Sequence, residues 1–236
     1  FTQTVLRLAV PIMIQSLMVS LMHIVDNVMI GQLGEYELAG VTQANRISFL
    51  LQVTMFGVVS GSSVLTAQFW GKKDVKGIRS FLGLGLITAL CVAALYAVPS
   101  LVMPEKILAI LIQDERAAAS GVSYLRVVAI AYFVQAISLV NAAVLKSTEQ
   151  VKLPMRASIL AILVNTCLNY LLIFGKFGFP KLGVKGAAIA TVIGCGAELL
   201  VLIVTAYKNN MATAARLREL RPACRADIGK FFRIVL

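Results

Sequence analysis

A carboxylate in the middle of an apolar run is the residue in this chain most able to do chemistry. Asp26 stands in LAVPIMIQSLMVSLMHIVDNVMIG, from Leu8 to Gly31, a run with no other acid. Such a run is long enough to cross a hydrocarbon layer of about 30 Å. An ionised carboxylate at the centre of a membrane helix costs on the order of 3 kcal/mol on insertion scales. Intramembrane acids therefore mark ion or substrate sites and need polar company. Candidates for that company are Asn165 and Asn169, four residues apart and so on one helical face, and the hydroxyl of Thr191. Counted from the ends of their own runs, all four groups fall in one half of the layer, within a depth of about 10 Å. The residues by themselves point to an ionisable group in a polar pocket, and a lone carboxylate buried away from water is suited to exchange protons.

The first helix has to present Asp26 correctly. At about 100° per residue, Gln15, Ser16, Ser20, His23, Asp26 and Asn27 fall in one arc, roughly 140° wide. Ile14, Leu17, Met18, Leu21, Val25 and Val28 occupy the other side. One face is thus expected to serve a polar interior and the other lipid. Pro11 removes a backbone donor near the start and permits a bend. His23, one turn from Asp26, could tune its protonation. Glu198, two turns beyond Thr191 on the same face, could serve a proton path or pair with a basic residue from another helix. Arg46 and Arg126 could snorkel to an interface or partner a carboxylate. Asn141 is a further candidate for a cavity wall.

The rest of the 236-residue chain supplies the bundle these residues need. Apolar residues make up 59% of it, charged residues only 14%, and the mean hydropathy is +0.86. Soluble domains carry about 25% charged residues, so an aqueous globule is a poor fit. Six spans are expected: Leu8–Ile30, a second reaching from about Glu37 through an apolar core at Ile47 to Trp70, Leu82–Met103, Val122–Leu145, Ala157–Phe174 and Val184–Tyr207. The period-two alternation of a barrel is absent, so the fold is all-helical. Gly57 and Gly61, followed by Ser62 and Ser63, form a small-residue face for close helix packing. The net charge of +11 would suggest nucleic acid in a soluble protein. Here it sits in short loops. Lys72, Lys73, Lys76, Arg79, Lys146, Lys152 and Arg156 lie on one side, with Lys208, Arg216, Arg218, Arg221, Arg225 and Lys230 in the tail after the sixth span. The other side has Lys106, Arg116, Lys176, Lys181 and Lys185. By the positive-inside rule both ends of the chain face the cytoplasm. The four cysteines have no metal-ligand spacing, and no nucleophile–base pair or phosphate loop suggests an enzyme.

Three stretches carry a family resemblance: HIVDNVMIGQLGEYELAGV, SGSSVLTAQFWGKKDVKGI and NTCLNYLLIFGKFGFPKLGVKGAAIAT. They resemble the multidrug and toxic compound extrusion (MATE) transporters of the MOP superfamily. The resemblance implies a two-lobe fold, with residues 1–207 as the N-terminal six-helix lobe and 208–227 as a basic cytoplasmic linker. Residues 228–236 would open a seventh helix, and the second lobe would lie on further polypeptide. It implies that Asp26 is the essential acid of the first helix and that Pro11 is its bending point. Asn165 and Asn169 correspond to a polar pair lining the cavity, and Thr191 to a hydroxyl residue of the sixth helix. Some relatives have a second aspartate where this chain has Asn169, and a tyrosine where it has Met22, which leaves one carboxylate here. The expected function is cation-coupled export of amphipathic, cationic small molecules across the plasma (inner) membrane. It needs no cofactor beyond the coupling proton or sodium, and its partners are the bilayer, the substrate and the second lobe, not nucleic acid. A lipid-linked precursor flippase of the same superfamily, favoured by cavity cations such as Arg46, and a non-transporting scaffold are the alternatives.

Overall fold

The computed structural model describes residues 2–216, 219, 220, 229 and 231, and the side chains from residue 9 onward. Seven helices follow in order: α1 (Thr2–Gly31), α2 (Glu35–Gly71), α3 (Val75–Val102), α4 (Pro104–Leu111), α5 (Glu115–Ser147), α6 (Lys152–Phe174) and α7 (Val184–Lys208). Six of them are long and apolar enough to cross a membrane. They match the six expected spans, with α1, α3, α5 and α6 starting well before the expected first residue. The short α4 is the addition. Its eight residues lie in a connection that hydropathy alone leaves blank.

Local chemistry sets the helix ends. Asp74 caps α3 by accepting from the Gly77 amide at 3.0 Å, and Asp114 caps α5 by accepting from Arg116 and Ala117 at 2.9 and 3.0 Å. Glu35 and Glu37 put negative charge on the first turn of α2. Gly175 ends α6 in the left-handed region at φ 66°. Pro11 lies buried inside α1, which continues as helix on both sides of it.

The centre of the bundle is the crossing of α2 and α5, with α3 against both. It depends on glycine. A Cβ on Gly40 would lie 2.2 Å from the Ala117 carbonyl oxygen, and one on Gly121 would lie 2.8 Å from the Gly40 carbonyl oxygen. The backbones meet there with no room for a methyl group. Lower down, Gly61 and Ser62 of α2 are buried as the small-residue face requires, and Ser62 meets Gly85 of α3. Tyr132 of α5 shares a hydrogen bond with Ser48 of α2 at 2.9 Å, and Tyr96 of α3 shares one with Thr54 at 2.8 Å. α3 contributes Ala89, Ala93 and Ala97, all fully buried. α6 and α7 form an antiparallel pair beside this frame, and α1 leans mainly on α6.

The segment after α7 folds back under α3. Arg79 pairs with Glu219 at 2.9 Å, and the Tyr207 hydroxyl donates to the Ala215 carbonyl at 2.6 Å. Of the expected linker, 208–216, 219 and 220 are described. Most of the expected seventh helix, 228–236, lies outside the described residues.

Candidate functional site

Asp26 reaches the α6–α7 pair through one short contact. The Asn169 amide donates to Asp26 Oδ1 at 2.6 Å, and the same nitrogen lies 3.2 Å from Asn165 Oδ1. Asn165 lies 3.5 Å from the Thr191 hydroxyl, which donates to the Ala187 carbonyl one turn earlier in its own helix at 3.0 Å. With the Asn165 amide turned over, its nitrogen donates to Asp26 Oδ1 at 3.2 Å. Both asparagines are buried, Asn165 3% and Asn169 1% exposed. The four residues anticipated from the sequence are thus one cluster, built from α1, α6 and α7.

Two features of this cluster have chemical consequences. Every contact on Asp26 comes from an amide N–H, so the site suits an ionised carboxylate in its present arrangement. Asn169 Oδ1, by contrast, is buried without a hydrogen-bond partner. A buried carbonyl oxygen left unpaired costs on the order of 1–3 kcal/mol, which a cation or proton donor arriving beside Asp26 would recover. Among the described residues no three His, Cys, Asp or Glu side chains converge as a metal centre. Any cation bound here would be held by one acid and neutral oxygens.

Small residues set the spacing of α6 and α7. A Cβ on Gly194 would lie 3.1 Å from Asn165 Cβ and 3.3 Å from the Ala161 carbonyl oxygen. A side chain there would crowd Asn165, so glycine eases the close approach of α7 that brings Thr191 to Asn165. From the other side, Tyr124 of α5 is 6% exposed, and its hydroxyl faces Thr191 within electrostatic reach of Asp26. Sequence reasoning missed Tyr124, because a tyrosine in an apolar run reads as core. It supplies a hydroxyl near the acid although Met22 cannot.

The sequence model of the MatE family matches residues 11–171. The chain belongs to the MatE family. It is 36% identical over 215 residues to the "Probable multidrug resistance protein NorM" of Bradyrhizobium diazoefficiens, covering 89% of this chain and 45% of that protein. Its fold is similar to those of two solved structures, described as "Crystal structure of MATE in the bent conformation" and "Crystal structure of MATE in the straight conformation". The TM-scores are 0.85 and 0.84 at 23% and 22% identity, over 99% and 98% of this chain and 51% of each structure's chain. The chain spans about half the length of the curated relatives it matches.

The other candidate residues fall elsewhere in the bundle. Gln15 and Asp26 contact α6, whereas Ser16, Ser20, His23 and Asn27 are exposed. Ser16 and Ser20 donate to carbonyls of their own helix at 3.0 and 3.1 Å, so they need no neighbour. Arg46 is exposed on α2. Asn141 is buried but bonds the Ile137 carbonyl of its own helix at 2.8 Å. Arg126 pairs with Glu105 of α4. Glu198 accepts from Ser158 at 2.5 Å, with Lys146 of α5 within electrostatic reach but beyond ion-pair distance.

Proposed function

We propose that this chain is the ion-coupling lobe of a cation-driven efflux transporter, with Asp26 as the coupling carboxylate. The observation that carries the reading is the Asp26–Asn169 contact. It ties the acid of a loosely packed helix to a buried amide whose own oxygen lacks a partner. A proton or sodium ion entering at Asp26 removes the charge the amides now serve and gives Asn169 Oδ1 a partner. Asn165 and Thr191 complete the set of neutral oxygens. The exchange alters how α1 is held against α6, with Pro11 as the place where its backbone lacks a hydrogen bond. An ion drives transport only through different affinities for two states of the helix. That solved relatives are described in bent and straight conformations supports a fold with two such states.

The name of the bacterial relative supports drugs as cargo, and a single acid in a polar pocket suits amphipathic cations. Arg46, which would favour an anionic lipid-linked cargo, is exposed on α2, and no hydrogen bond or ion pair joins it to the cluster among the described residues. In this reading the basic loops lie in the cytoplasm of a plasma-membrane protein, and a second lobe closes the transport path. The test uses the full-length protein in proteoliposomes with an imposed proton or sodium gradient. D26N should insert normally and lose gradient-driven efflux of a cationic dye. Efflux at the wild-type rate would overturn the assignment and leave a scaffold role for the cluster.

A further inference from the structure

Eleven residues before Asp26, α1 makes a second polar contact with the same helix. Gln15 Nε2 donates to Ser158 Oγ at 2.7 Å, and Ser158 Oγ donates to Glu198 Oε1 at 2.5 Å. Both contacts between α1 and α6 join residues 143 apart in the chain, Gln15 with Ser158 and Asp26 with Asn169. The helices therefore run parallel in one register, and eleven residues, about three turns, return each to the same face. α7 runs the other way in an equally regular register. It places Thr191 at Asn165 and, seven residues on, Glu198 at Ser158, seven residues back along α6. The seam of α1, α6 and α7 thus holds two polar clusters of like construction about 16 Å apart by helical rise. Each holds one carboxylate, contributed by α1 in one case and by α7 in the other.

We propose that Glu198 is a second proton-exchange site of this lobe, serving the basic end of the bundle as Asp26 serves the other. The proposal rests on the transport reading for its purpose, though its chemistry stands apart from it. The groups on Glu198 can reverse their polarity. As arranged, Gln15 donates to Ser158 and Ser158 to the carboxylate, the pattern an ionised acid needs. Gln15 Oε1 is meanwhile buried with no partner. When Glu198 takes a proton from water at the basic end, its new O–H donates to Ser158 Oγ. The serine hydrogen then turns to donate to Gln15 Oε1, and the amide rotates to receive it. An O–H bond forms on Glu198 as one breaks in the hydronium ion that delivers the proton, water is released, no other covalent bond changes, and the orphaned oxygen acquires a donor. A proton gained on α7 is so registered as a turned amide on α1.

The titratable groups facing Glu198 are Lys146 from α5 and Cys195 one turn earlier on α7; α6 and α1 present the uncharged Ser158 and Gln15. Lys146 does not approach within ion-pair distance, so Glu198 is open to protonation rather than locked in a bridge.

Infrared difference spectroscopy of the purified full-length protein between acid and alkaline buffers tests this directly. Two protonated-carboxyl bands are expected, one removed by D26N and the other by E198Q. S158A keeps both acids and should shift only the second band. In proteoliposomes, one-proton linkage makes the response to pH at the basic end up to about tenfold per pH unit. E198Q should flatten that response to less than about twofold, while the response at the other end persists. An E198Q spectrum identical to wild type overturns the proposal. If E198Q fails to fold, an unshifted band in S158A overturns it equally. Wild-type efflux by D26N would defeat the transport reading and leave the Glu198 band where it is.

Discussion

Two halves of this bundle are built on opposite principles. Where α2, α3 and α5 meet, glycines, serines and alanines bring backbones into contact. Of an 18-residue apolar stretch of α5, 56% of residues are buried. In the corresponding stretch of α1 the figure is 6%. Close packing resists displacement because each lost contact leaves a void that costs free energy. α1 has little packing to lose, so its two polar contacts with α6 decide much of where it lies. The acid is carried on the least buried of the six spans.

The sharpest way to break this contrast is D26N, which should reduce gradient-driven efflux to background while leaving the frame folded, as read by size-exclusion profile. Next comes an attack on the frame itself. Gly40→Leu drives a side chain into the Ala117 carbonyl and should cost on the order of 3 kcal/mol, seen as a lowered Tm and lost monodisperse yield. A bulky substitution on the exposed face of α1, such as Leu17→Phe, should change stability by less than about 0.5 kcal/mol and leave Tm near that of wild type. A drop like that of Gly40→Leu would erase the distinction. N169A removes a charge-assisted hydrogen bond worth about 1.5–3 kcal/mol, so the half-saturating concentration of the coupling ion should change by about tenfold or more. The smallest effect lies outside the spans. The Arg216 amide and then the Arg79 guanidinium hold the Glu219 carboxyl below its ordinary value. A depressed native value stabilises the fold at neutral pH and ceases to do so as pH falls through it. Tm curves of wild type and E219Q should differ slightly at neutral pH and converge below about pH 4.3.

Much of this was legible before any coordinates. Six helices follow from hydropathy, because backbone in lipid has few other ways to satisfy its hydrogen bonds. The Asp26 cluster follows from the cost of a charge there, which forces polar partners to the same depth. Pairings between distant helices were not legible. Gly40 and Gly121 each look ordinary, and only their crossing makes a side chain impossible. Gln15 reads as one polar residue among six on α1, and nothing local distinguishes it from Ser16. The common register of α1 on α6 separates the two, and register is a property of the packed pair.

The eight residues of α4 bear on how the molecule can move as a whole. Leu108 is fully buried, and its methyl group would lie 2.9 Å from a Cβ on Gly121, so it plugs the place where α2 and α5 touch. A joint pinned by two backbones and stoppered by a third element has no hinge left in it. Any large swing of these helices must then be a rotation of the whole block, with the compliance in the connections at its far end. Under the proposed function, distances between spin labels on α2, α3 and α5 should stay constant as the coupling ion is added, while each changes against a label on α1.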